Sequence, residues 1–177
     1  MKTKVALSVL LALAFSGSVL ANTPASYDTK FNVSANVPDS AHITDPSGKP
    51  VTDLDVVLTP ADSGKMEAMT GPLKLWNNDV SKLEVSLIMD DAQSATGSAF
   101  TLYSDTMVPM QYAIEASSNG LSKSFPTSGS TQDYTLNADG THGELPIRFK
   151  FVSTKDYTDL GQGNYTGVVY ANVNAKA

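Results

Sequence analysis

The chain has 177 residues with 12 basic and 18 acidic side chains, a formal net charge of −6, and no cysteine. Without thiols there are no disulfide scaffolds, thiol nucleophiles, iron–sulfur clusters or thiolate zinc sites. The acidic balance argues against nucleic acid and anionic membranes as partners, because both are bound through clustered Lys and Arg.

Residues 1–21 read as a secretory signal. Lys2 and Lys4 precede an apolar core over 5–15, a Gly17-Ser18 break follows, and Val19-Leu20-Ala21 carries small or apolar residues at the −3 and −1 positions of a cleavage site. Removing these 21 residues and their two lysines leaves 156 residues at net −8. That length fits one domain burying roughly 70% of the surface its unfolded chain exposes. No later apolar run approaches the roughly 20 residues that span a bilayer, so the mature protein is expected to be exported and not membrane-embedded.

Beyond the signal, apolar residues recur with period two, the mark of strands with one buried face. Phe31, Val33, Ala35 and Val37 alternate with Asn32, Ser34 and Asn36, and Pro38-Asp39 ends the run. After a turn at Asp45-Pro46-Ser47-Gly48, Leu54, Val56 and Leu58 predict a second strand, and residues 60–64 another turn. Residues 63–70 suggest at most one helical turn before Gly71-Pro72. Leu83, Val85, Leu87 and Met89 predict a strand, as do Met110, Tyr112 and Ile114, which end at Asn119-Gly120. The Ser/Thr/Gly-rich stretch 121–141 reads as a long loop with one strand near 134–136, closing at Asp139-Gly140. Leu145, Ile147, Phe149 and Phe151 then face one way while Arg148 and Lys150 face the other. A turn at Gly161-Gln162-Gly163 leads into a last strand over 165–173. Short strands separated by turns at this spacing predict an all-β sandwich in one domain.

Catalytic signals are weak. His42 and His142, the two histidines, stand 100 positions apart and read as surface residues; neither belongs to a nucleophile-elbow pattern. Acidic pairs occur at Asp53/Asp55, Asp90/Asp91 and Asp156/Asp159. Asn137-Ala138-Asp139-Gly140 resembles the opening of a calcium loop, but Thr141 stands at the fifth, ligand position and Arg148 at the twelfth, where a bidentate glutamate is needed, so a turn is expected there. The glycines of 161–167 have the wrong spacing for a dinucleotide fingerprint and lead into a strand, leaving no helix N-terminus for a pyrophosphate. The expectation is no enzyme, no cofactor and no metal. Trp76 and the seven tyrosines, Tyr103 among them, are available for a sugar platform, though lone aromatics in a sandwich more often serve the core.

Three blocks carry a family resemblance: FNVSANV at 31–37 before Pro38-Asp39, DVVLTPA at 55–61 with WNNDVSKLEVSL at 76–87, and GNYTGVVYANV at 163–173. Their order resembles that of the major pilins of enterobacterial colonisation-factor fimbriae, the class 5 or alpha group of chaperone–usher pili. Residues 90–141 depart from that pattern. The resemblance implies an immunoglobulin-like sandwich over 39–177 that lacks its final strand and is completed by donor-strand exchange with the N-terminal extension, residues 22–38, of the next subunit. It implies Phe31, Val33, Ala35 and Val37 as donor side chains and Pro38 as the inter-subunit hinge. The C-terminal strand, with Tyr165, Gly167, Val169, Ala171 and Val173, would pair with a periplasmic chaperone before assembly and with the donor afterwards. The implied partners are identical pilin subunits in a homopolymer, the chaperone, an outer-membrane usher and a tip adhesin. The implied destination, by way of the periplasm, is a cell-surface fimbrium.

Burying Phe31, Val33 and Val37 in a neighbour contributes about 1.5–3 kcal/mol each at most, a large fraction of the roughly 5–15 kcal/mol that holds a domain folded. The same periodicity also fits an ordinary first strand of a self-contained sandwich, and the resemblance favours donation. The competing function is a fimbrial adhesin or sugar-binding β-sandwich module.

Overall fold

The computed structural model describes residues 32–34, 40–79, 82–89 and 96–176. The chain divides into a unit over Met1–Val37 and a body over Pro38–Ala177. The signal segment, Phe31, Ala35, Val37 and Pro38 lie outside the described residues.

Among the described residues the body holds thirteen strands and one short 3-10 turn, Tyr157–Asp159. In chain order the strands are β1 (Ala41–Thr44), β2 (Thr59–Pro60), β3 (Lys65–Met69), β4 (Leu73–Asn77), β5 (Lys82–Met89), β6 (Thr101–Ser104) and β7 (Pro109–Ser118). They continue with β8 (Leu121–Phe125), β9 (Ser130–Thr135), β10 (Asn137–Asp139), β11 (His142–Asp156), β12 (Tyr165–Thr166) and β13 (Val169–Lys176). The larger sheet runs β1-β4-β11-β7-β6-β12, with β10, β3 and β2, and β8 attached at its sides; the smaller is β13-β5-β9. The architecture is the expected all-β sandwich.

Period-two sequence drives both sheets. In β7 the pattern alternates strictly, with Met110, Tyr112, Ile114 and Ala116 buried and Gln111, Ala113 and Glu115 exposed. Leu83, Val85 and Leu87 of β5 supply the facing layer, and they meet Tyr112, Ile114 and Ala116 of β7 in one core with Leu75, Phe100, Phe125 and Phe149. The 15-residue β11 organises the larger sheet: its first half pairs with β4 and β10, its second half with β3 and β7. Turn chemistry fixes the hairpins. Asn119 (φ 48°) and Gly120 (φ 77°) both take the left-handed backbone that a two-residue β7–β8 turn requires.

Several expectations change. Residues 63–70 form β3 rather than a helical turn, because Gly64 sits at φ 79° and closes a turn back onto Ala61, after which the chain pairs with β11. The stretch 121–141 is three strands, β8, β9 and β10, instead of one strand in a long loop. Leu54, Val56 and Leu58, expected to form a strand, lie in a strandless stretch over 51–58. The closing strand over 165–173 is two strands: Tyr165 and Thr166 pair with Ser104 and Tyr103 of β6, and only from Val169 does the chain pair with β5.

Candidate functional site

β13 is the structural centre of the candidate site. One of its edges pairs with β5 over the full register from Val169↔Met89 to Lys176↔Lys82. Its other edge pairs with no strand among the described residues. The sequence does nothing to blunt that edge: residues 163–175 contain no charge and no proline, the usual devices against unwanted strand addition. Side chains from β13 that point to the core, Val169, Val173 and Ala175, are only partly buried, while Val168 and Tyr170 stand about half exposed.

Beside this edge lies an open groove of about 740 Å³. Residues 167–174 line it, as do Ala41 and Ile43 of β1 and the strandless stretch containing Val51, Leu54, Val56 and Leu58. Leu73, Leu87, Tyr112 and Phe149, members of the core, also line it, together with Leu102 and Phe151. The groove therefore opens onto the core itself, beside a backbone edge that pairs with no strand among the described residues. Burial pushes the Tyr112 phenol well above its ordinary pKa, so this group stays protonated and carries no acid–base chemistry near neutral pH.

The far end of β13 is pinned electrostatically. Lys176 Nζ donates to both carboxylate oxygens of Asp133 on β9, at 2.9 and 2.8 Å, across the intervening β5. The Lys176 hydrogen bond holds the Asp133 carboxyl below the usual range, and the same bond raises the Lys176 pKa. The free edge is thus fixed at its C-terminal end.

Of the residues expected to donate, Val33 is described. Asn32, Val33 and Ser34 form no strand, and Val33 is 92% exposed. Of the residues assigned to the C-terminal pairing strand, Val169, Ala171 and Val173 lie on β13, Tyr165 lies on β12, and Gly167 lies between the two. The Tyr165 hydroxyl donates to the Gly161 carbonyl at 2.9 Å, so the glycine run serves as a turn leading into a strand, as expected.

A second constellation occupies the exposed face of the larger sheet. His42 on β1 is the register partner of Trp76 on β4, with ring centroids 4.7 Å apart; His142 on β11 stacks on the same indole at 5.6 Å. Since β1 and β11 flank β4 on opposite sides, Trp76 is bracketed by two imidazoles and offers no open aromatic platform. Glu144, the β11 partner of Trp76, takes an ion pair from Lys74 at 2.6 Å, which holds its carboxyl below the usual range. The sequence separation of 100 residues hid this row, which arises only from cross-strand register.

The sequence matches no protein-family model and no curated protein. Solved structures are similar in fold. CfaE, the adhesive subunit of CFA/I fimbria of enterotoxigenic Escherichia coli, aligns at TM-score 0.51 and 17% identity, over 77% of this chain and 43% of that one. The CooA pilin subunit from enterotoxigenic Escherichia coli aligns at TM-score 0.50 and 12% identity, over 76% of this chain and 86% of that one. The fold is the immunoglobulin-like sandwich of pilus subunits. The P pilus rod subunit PapA also aligns, at TM-score 0.42 and 14% identity, over 77% of this chain and 99% of that one. The chain spans less than half the length of the adhesive subunit it matches.

Proposed function

We propose that this chain is the major structural subunit of an adhesive fimbria, exported through the periplasm and polymerised by donor-strand exchange through the chaperone–usher pathway. One observation carries the reading: an edge strand, β13, with no charged residue before Lys176, lies beside a groove that opens onto the hydrophobic core. An extended segment with alternate apolar side chains satisfies both deficits together. Its backbone pairs with the free edge, and its side chains fill the groove. The segment 31–37 has that alternation, and the exposure of Val33 supports its availability to a neighbour. Phe31, Val33, Ala35 and Val37 are the donor side chains in this reading, Pro38 is the hinge, and the chaperone holds the groove until the usher exchanges it. The sugar-binding alternative gains nothing from Trp76, whose ring is already bracketed by His42 and His142.

The test is the mass distribution of the mature chain, residues 22–177, on an unheated denaturing gel and by light scattering, compared with Ala35→Arg. A ladder of detergent-resistant multimers, lost in the variant, is the expected result. A well-folded monomer that persists at high concentration would overturn the reading and make 31–37 an ordinary first strand.

A further inference from the structure

The hairpin of β10 and β11 brings three potential metal ligands onto one exposed face. Asp139 and His142 are register partners across the hairpin, and Glu144 lies two residues beyond His142 on the same side of β11. Positions i and i+2 on one strand are roughly 6.6 Å apart and a directly opposed cross-strand pair roughly 5 Å. Three side chains on such a triangle converge on a point above it. Here they do: His142 Nε2 lies 3.3 Å from Glu144 Oε1 and 3.9 Å from Asp139 Oδ2, and one ligand atom from each residue falls within 4.8 Å of the others. Ligands about 2.0–2.1 Å from a tetrahedral zinc ion are separated by about 3.4 Å.

From this geometry we propose that Asp139, His142 and Glu144 form a site for a divalent transition-metal ion, with zinc the best fit. One imidazole and two carboxylates are a ligand set that zinc accepts, and three protein ligands leave a fourth position open. Two features favour the site over a chance cluster. Lys74 grips Glu144 Oε2 at 2.6 Å and so leaves Oε1 turned toward His142, the orienting contact that metal carboxylates use. Trp76 stacks on the His142 ring and restrains its rotation. His42, on the other side of the indole, takes no part, since Trp76 stands between it and the cluster. This site is independent of the groove and of strand donation.

Trp76 is also the reporter, being the single tryptophan of the chain. The experiment titrates Co²⁺ into the mature full-length chain in its native assembly state, follows Trp76 fluorescence, and then adds Zn²⁺. Expected is a saturable, single-site quench that Zn²⁺ reverses, with visible Co²⁺ absorption of tetrahedral intensity. Asp139→Asn, at a largely exposed position that leaves the His142–Trp76 stack intact, weakens the midpoint roughly tenfold or more. His142→Gln abolishes saturation, and His42→Gln leaves it unchanged. A quench that rises linearly into the millimolar range, or a saturable one that survives both Asp139→Asn and His142→Gln, overturns the site.

Discussion

Thr70 shows how much a single side chain can settle. Along one side of β11, β3 gives way to β4 at Gly71-Pro72, where proline has no N–H to offer the ladder. Thr70 closes the gap twice: its backbone N–H donates to the Phe149 carbonyl at 2.9 Å, and its hydroxyl accepts from the Phe149 N–H at 3.0 Å. Both residues are buried, so no water stands ready to replace the hydroxyl. Thr70→Val keeps the shape and leaves the Phe149 donor unsatisfied, at a cost of about 1–3 kcal/mol. The expected result is a lower urea midpoint with an unchanged slope, while Thr70→Ser retains most of the stability. An unchanged midpoint in Thr70→Val would show that the ladder closes without the hydroxyl.

At the scale of elements, β13 has one secured end and one edge unpaired among the described residues. The Asp133–Lys176 pair reaches across β5 to hold its C-terminus. Asp133 is depressed in the folded state, so its contribution is complete above the unfolded carboxyl pKa of ~3.9 and is lost as pH falls through the lower folded value. Lys176 is raised, so its contribution is complete below the unfolded ~10.4 and is lost as pH rises through the higher folded value. The stability gap between wild type and Asp133→Asn is therefore expected at neutral pH and closes at both extremes. It also shrinks with added salt, since both groups are exposed. Thermal melts across pH measure it, and a gap that persists in acid would mean the aspartate acts through something other than this charge pair. The elements differ in how plainly the sequence announces them, for physical reasons. β5 buries Leu83, Val85 and Leu87, and β7 buries Met110, Tyr112, Ile114 and Ala116, and apolar alternation in the sequence follows. Leu54, Val56 and Leu58 alternate as well, yet alternation supplies no neighbouring strand to pair with, and here the groove lies alongside and Leu54 stays exposed. β8 and β9 are polar on most positions, so the Asn119-Gly120 turn was the sole clear sign of a hairpin there. The His42–Trp76–His142 row depends on register among three strands, which no local pattern encodes.

For the body as a whole, the question is whether its stability can come from outside the chain that forms it. A ligand that binds only the folded state adds RT ln(1 + [L]/Kd), about 2.7 kcal/mol at a hundredfold excess over Kd. For a body of this size that corresponds to a rise in Tm of roughly 8 °C. Under the proposed function, the mature Ala35→Arg chain cannot donate its own segment, but its groove and β13 edge are untouched. A synthetic peptide of residues 27–38 carrying the natural Ala35 is expected to raise its Tm in a concentration-dependent, saturable way. The same peptide with Ala35→Arg is expected to leave Tm unchanged, because a charge at that position faces the core-lined groove and remains unpaired there. Differential scanning calorimetry separates the outcomes. Equal shifts from both peptides would mean that the added strand binds by backbone pairing along β13 alone, and no shift from either would mean that the groove does not accept this segment. Only a preference for the natural peptide ties the apolar face of 31–37 to the open core, because the free edge reads backbone and the groove reads side chains.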